Sequence, residues 1–226
     1  MKALILVPAF NEATVIYSVL NSIPKKINHL ENVEIIVVDD GSHDNTKKEA
    51  KRAGIQVISH ILNRGLGAAI KTGIQYAREK KYDILVTFDG DGQHDPLDIQ
   101  KIVQPILMQK ADVVIGSRFI TKEGVPFDRL IINSLANVAT YLLFGTKSTD
   151  SQSGLRALSK KAIALIDFKA DRMEFSSEIL LEAKKHNLIV KEIPIKAIYT
   201  EYSRAKGQKN TNAFPVMFKF LVKLFR

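Results

Sequence analysis

The sequence contains no cysteine and no tryptophan. Without cysteine there is no disulfide framework, no zinc–thiolate centre and no thiol nucleophile, an absence that fits a reducing compartment. Long apolar runs are missing too: no stretch reaches the roughly 20 residues needed to cross a bilayer. The opening run Ala3–Val7 stops at Pro8, too short for a secretory signal, and reads as a first strand. Acidic residues are in the minority, 24 against 33 lysines and arginines, which gives a formal charge of +9 and a pI near 9.6. Such a chain suits a partner of opposite sign: a phosphorylated substrate, an anionic membrane surface or nucleic acid. With 226 residues, 46% of them hydrophobic, the chain can bury the core of one large domain.

What is present is organised around one strand. Ile84–Phe88 is apolar or β-branched and breaks abruptly into Asp89-Gly90-Asp91-Gly92-Gln93. The i, i+2 spacing points both carboxylates the same way, the glycines permit a tight turn, and Gln93 adds a neutral oxygen. Hard oxygen ligands of this kind suit Mg²⁺ or Mn²⁺ shared with a substrate phosphate. The bland alternative is a solvated turn in which Asp95 caps a helix starting near Pro96. Val33–Asp39 repeats the design, ending in Asp39-Asp40-Gly41-Ser42, and Val113–Ser117 ends in Arg118. Asn63–Ala69 is a glycine-rich turn into a helix carrying Gly73, which fits either phosphate contact or close helix–strand packing. Strands alternating with helices at this spacing predict an α/β fold with a mostly parallel, Rossmann-like sheet flanked by helices. Ligands of such a sheet bind outside the carboxyl ends of the strands. That rim collects Pro8–Glu12, Asp39, Asp40, Asn63–Gly67, Asp89–Gln93 and Arg118.

Beyond Arg118 the alternation stops. Leu130–Phe144 is apolar nearly all round, interrupted by Asn133, Ser134 and Asn137, and reads as a helix either buried or touching lipid. Asp150–Arg156 reads as a polar loop, Phe175–His186 as a helix carrying Glu178, and Ile189–Ile195 as a late strand. Tyr199–Lys209 is basic and aromatic, either a lid over a phosphate or a linker. Phe214–Arg226 sets Lys219, Lys223 and Arg226 on one stripe of a greasy helix about 18 Å long, short of the roughly 30 Å hydrocarbon core. It predicts a helix lying in the membrane surface, with docking on the core or a partner subunit as the alternative. The chain thus divides into a domain over 1–210 and a surface helix over 211–226.

Taken together, these residues resemble family 2 glycosyltransferases of the GT-A fold, most closely the polyprenyl-phosphate branch that includes dolichyl-phosphate mannose synthases. The resemblance runs from Val7 to about Lys209. Pro8-Ala9-Phe10-Asn11-Glu12 carries Phe where the family usually has Tyr, and Gln208 stands where Ser is expected. Gly116, Arg118, Arg129, Asp150, Gly154, Arg156 and Glu178 fall where the later motifs do. The resemblance implies that Pro8, Phe10, Asn11, Glu12, Asp39, Asp40, Gly67 and Asp89 bind a UDP- or GDP-sugar, with Arg204 and Lys209 closing over its diphosphate. It implies that Asp89, Asp91 and Gln93 hold Mg²⁺ or Mn²⁺, that Asp91, Arg118, Asp150 and Glu178 serve catalysis, and that Arg118, Arg129, Asn133 and Ser134 hold an acceptor phosphate. The implied reaction is inverting sugar transfer to a polyprenyl phosphate by a peripheral protein on the cytoplasmic face of the membrane, with a small membrane partner or homo-oligomer left open. The alternative acceptor is a glycan hydroxyl, with Asp150 or Glu178 as its base. A lipid phosphate, with a second pKa near 6, needs none. Nucleic acid is not expected, because two strand-end acidic pairs would repel its backbone.

Overall fold

The computed structural model describes residues 1–121, 125 and 127–198, the side chains of 127–129, 132, 139, 143 and 144 excepted. β1 (Lys2–Ala9) lies parallel to β2 (Asn32–Asp39) on one side and to β4 (Ile84–Thr87) on the other. β3 (Gln56–Ser59) extends the sheet beyond β2, and β5 (Val113–Ser117) pairs in parallel with β7 (Val190–Pro194). Between the two halves runs β6 (Arg156–Ser159), antiparallel to both β4 and β5, giving a sheet of 7 strands in the order β3-β2-β1-β4-β6-β5-β7.

The continuous apolar runs explain the layering. Along β1, Ala3 to Val7 are all fully buried, and alternate residues enter opposite cores. Ala3, Ile5 and Val7 pack with α1 (Ile16–Ser22), α2 (Thr46–Arg52) and α4 (Asp98–Leu107). Leu4 and Leu6 pack with α3 (Leu66–Glu79), α6 (Lys160–Leu165) and α7 (Phe175–Lys185). The expected mostly parallel, helix-flanked sheet is therefore what forms.

Two expectations need correction. The segment ending in Arg156 is more than a loop: Arg156–Ser159 is a strand, with Thr87 opposite Arg156 and Leu85 opposite Leu158. A strand of four residues that begins with a buried arginine carries too little period-2 pattern to announce itself. The first helix, which the chain after Glu12 predicts at about a dozen residues, spans 7, because Glu12 first closes a turn on Val15 and Ile16 through its carbonyl.

Among the described side chains of the long helix α5 (Phe127–Phe144), polar groups turn inward and apolar ones outward. Its polar residues Asn133 and Thr140 are buried, while Ile131, Leu135, Val138 and Leu142 are 48–67% exposed along one stripe. Among the described residues no helix is long and apolar enough to cross a membrane. The C-terminal helix expected over 211–226 lies outside the described residues.

Candidate active site

The rim at the carboxyl ends of β1, β2, β4 and β5 carries most of the expected polar groups. At its centre β4 delivers Asp89 and Asp91. Asp91 closes the turn on Gln93, accepting its backbone N–H on Oδ1 at 3.0 Å and its side-chain amide on Oδ2 at 2.8 Å. Asp89 Oδ2 lies 3.1 Å from Nε2 of His94. On the other side of the Asp89 carboxylate sits Gly154: a Cβ there would be 1.9 Å from Oδ2 and 2.2 Å from Oδ1. Gly90 brings this turn against the end of β1, within reach of the Pro8 carbonyl.

The two carboxylates are pushed apart electrostatically. Burial, followed by the charge of Asp89, drives Asp91 up to about 6. Burial also opposes ionisation of Asp89, but the hydrogen bond and charge of His94, with Arg118 and Arg156 behind, outweigh it and hold Asp89 below the usual carboxylate range. Two crowded acids with an adjacent amide oxygen fit a hard divalent cation. No cluster of three or more His, Asp or Glu side chains converges as a complete cage among the described residues.

A pH signature follows from Asp91. Its folded value of about 6 lies above the ordinary 3.8, so the metal-free fold retains a proton that the unfolded chain gives up. The resulting stability is complete below the ordinary value and is lost as pH rises through about 6. In melting curves with chelator, the wild-type chain should lose ground between pH 4 and 7 relative to Asp91→Asn, and Mn²⁺ should stabilise it more at pH 7 than at pH 5. Parallel pH profiles for the two proteins would contradict this.

On the side of β1 and β2, the loops are laced together. Asn11, in the left-handed region at φ 54°, donates its N–H to Ser42 Oγ and accepts from the His43 N–H, each at 2.9 Å. Glu12, largely buried, donates its N–H to Thr46 Oγ1 at 2.7 Å. Asp39 accepts the Ser42 N–H at 3.2 Å, and the half-exposed ring of Phe10 meets His43 edge-on. Phe10, Asn11, Glu12 and Asp39 thus converge. Asp40 is committed elsewhere: it accepts from the backbone N–H groups of Arg64 at 3.0 Å and Gly65 at 2.7 Å and lies 2.6 Å from His60 Nδ1. It holds the glycine-rich turn from beneath. Gly67 answers to packing as well, because a Cβ there would lie 2.4 Å from the Ala170 carbonyl oxygen.

On the far side, Arg118 grips Asp150 with two nitrogens, Nε at 2.8 Å and Nη2 at 2.9 Å, and adds its backbone N–H at 3.1 Å. Asp150 is fully buried. Asn137 brackets it, donating to the Thr149 carbonyl at 2.8 Å and accepting the Ser151 N–H at 3.0 Å. Asn133 donates to the same Thr149 carbonyl at 2.9 Å, so its amide serves the fold of the loop, and Ser134 is exposed on α5. Glu178 accepts the N–H groups of Lys169 and Ala170 at 2.9 Å and braces the loop that packs on Gly67. Arg156, buried below Asp89, donates to the carbonyls of Ser151, Ser153 and Ser176, and burial pulls its guanidinium down to about 10. Arg129 lies on α5 with its side chain outside the described residues, as do Arg204 and Lys209 entirely. The last described residue, Ile198, lies beside the Asp89–Gln93 turn, its N–H donating to the Gln93 carbonyl at 3.1 Å.

The profile of Glycosyl transferase family 2 matches residues 4–166. The chain belongs to this family. As a family 2 glycosyltransferase it is similar to the UDP-N-acetylglucosamine–dolichyl-phosphate N-acetylglucosaminyltransferase of Methanococcus voltae, 40% identical over 240 residues, with 96% of this chain and 94% of that one covered. It is also similar to the polyprenol monophosphomannose synthase of Mycolicibacterium smegmatis, 29% identical over 231 residues, with 96% and 85% covered. Among solved structures, glucosyl-3-phosphoglycerate synthase from Mycobacterium tuberculosis in complex with Mn²⁺, UDP-glucose and phosphoglyceric acid matches with a TM-score of 0.70 at 21% identity, over 97% of this chain and 79% of that one. That likeness is one of fold.

Sequence reasoning missed several residues that build this glycosyltransferase's rim. His94 follows Gln93 directly and was open to discovery as a short-range neighbour of Asp89. His60 and Asn137 sit in segments with no motif of their own, and only the fold brings them to Asp40 and Asp150. The resemblance places Gly154 among the later motif positions, but only the fold sets it against Asp89.

Proposed function

We propose that this glycosyltransferase moves a sugar from a nucleoside-diphosphate sugar to a polyprenyl phosphate by metal-assisted inverting displacement at the cytoplasmic membrane surface. The observation that carries the reading is the inverted helix α5. Its amides and hydroxyl turn inward to the loop holding Asp150, and its apolar stripe turns outward. An apolar face of this kind beside the active-site rim suits an acceptor whose phosphate enters the site while its hydrocarbon stays in lipid. The dolichyl-phosphate N-acetylglucosaminyltransferase relative makes UDP-N-acetylglucosamine the first donor to test.

In this mechanism Asp89 and Asp91, with Gln93, would hold a divalent cation, which would supply charge neutralisation for the leaving nucleoside diphosphate. Phe10, Asn11, Glu12 and Asp39 seat the nucleoside, with Pro8 fixing the strand end behind them. Asp150 orients Arg118 for the incoming phosphate, with Arg129 and Ser134 of α5 proposed as further contacts. Arg204 and Lys209, which lie outside the described residues, are the cations proposed to meet the diphosphate. The acceptor chemistry agrees with the carboxylates. Asp150 is spent on Arg118 and Glu178 on two backbone N–H groups, so neither is poised as a base, and a lipid phosphate dianion requires none.

The test is a transfer assay on the full chain with labelled UDP- and GDP-sugars, with Mn²⁺ or chelator, and with or without polyprenyl phosphate. Label should enter the solvent-extractable lipid only when Mn²⁺ or Mg²⁺ and polyprenyl phosphate are both present. Transfer to a glycan hydroxyl that ignores the lipid phosphate would overturn the acceptor assignment.

A further inference from the structure

We infer that His94 is a positioning residue, holding the Asp89 carboxylate in the one orientation that receives the divalent cation. The role rests on the metal reading above and adds to it a residue outside the Asp89, Asp91 and Gln93 set. His94 is 2% exposed, and its Nε2 lies 3.1 Å from Asp89 Oδ2. Its other nitrogen, Nδ1, is buried with no hydrogen-bond partner among the described residues. A histidine kept for packing alone would be replaceable by an apolar side chain that leaves no such orphan. The imidazole stands here in spite of that cost, and among the described residues its single polar contact is the carboxylate. Because an ionised carboxylate only accepts, Nε2 carries the proton and donates to Oδ2.

The ring itself has little freedom. It meets Phe88 edge-on at 5.9 Å, and the His94 backbone is bridged to Ala197 while the neighbouring Gln93 carbonyl accepts from Ile198. From the opposite side the backbone at Gly154 closes on the same carboxylate, to within 1.9 Å of where a Cβ would stand. Asp89 is therefore wedged between an imidazole N–H that fixes its torsion and a glycine that admits it. Hydrogen bonds to metal-ligating groups orient them, and their loss typically costs about 10–100-fold in metal affinity.

The experiment measures Mn²⁺ binding in the absence of turnover, by the electron paramagnetic resonance signal of free Mn²⁺, on the full-length wild type, His94→Leu and His94→Gln, with the melting temperature of each in chelator. His94→Leu should weaken Mn²⁺ binding by about 10–100-fold without lowering the metal-free melting temperature. His94→Gln, whose side-chain amide can still donate to Asp89, should recover most of the loss. Mn²⁺ binding by His94→Leu at wild-type strength would overturn the role. So would equal losses in both variants accompanied by a fall in metal-free melting temperature, which would make His94 a packing residue. A wild-type chain that binds UDP but takes up no Mn²⁺ would instead overturn the metal reading itself and remove the role with it.

Discussion

Gly154→Ala is expected to lower sugar transfer by about 10²–10³-fold in kcat/KM while leaving a cooperatively folding protein. A Cβ at this position would stand 1.9 Å from Asp89 Oδ2 and 2.2 Å from Cγ, far inside contact distance. Gly154 has no positive φ among those recorded for the glycines, so alanine brings no backbone strain and the whole effect is steric. One of the two groups must move. The backbone at 154 is held by the Thr87 hydroxyl, which donates to its carbonyl at 2.6 Å, by the Leu155 carbonyl's bond from Gly116, and by the pairing of β6 with β4. Asp89 is the end of a side chain and yields first, swinging away from His94 and from the proposed metal position. A displacement of an ångström at a charge-stabilising group is enough for losses of this size. The measurement is kcat/KM together with Mn²⁺ affinity, with circular dichroism melting as the control for folding. Wild-type transfer by Gly154→Ala would mean that Asp89 is not needed where the fold puts it.

The contrast between what could and could not be read from the chain follows from sequence distance. β1, β2, β4 and β5 are continuous apolar runs ended by polar residues, and a sheet buried on both faces writes itself that way. The Asp89–Gln93 turn is equally open, because its ligand atoms are neighbours in the chain. The wedge on Asp89 is different: Gly154 reaches it only through a reversal of direction at β6, and a strand of four residues with Arg156 at its start has no periodic signature. The orientation of α5 was hidden for a related reason. Its sequence is apolar nearly all round, so period alone leaves two opposed faces; only the bonds of Asn133 and Asn137 to Thr149 decide which one is inward. The glycine-rich turn admits two readings in the sequence, and the fold shows close packing at it, from Asp40 beneath and the Ala170–Arg172 backbone alongside.

Arg118→Ala is expected to destabilise the fold by about 3–5 kcal/mol, and the reason bears on which acceptor the enzyme uses. Asp150 is fully buried, and two of its three bonds from residue 118 come from the guanidinium. Truncating the arginine strands a buried carboxylate, whereas removing both partners takes away the stranded charge. The double variant Arg118→Ala, Asp150→Ala should therefore be less destabilised than the sum of the single changes, by about 0.5–3 kcal/mol in a denaturation cycle. Additive losses would mean that the pair is not coupled. Kinetics then separate two uses of the same carboxylate. If Asp150 anchors Arg118 for an incoming phosphate, Asp150→Asn raises the KM for polyprenyl phosphate, leaves the KM for the donor unchanged, and keeps the shape of the pH profile. If Asp150 were a general base for a hydroxyl, the same change would remove the acidic limb of kcat with little effect on either KM. The bidentate grip favours the first outcome, because a base must be free to take a proton and this carboxylate already holds an arginine on both oxygens.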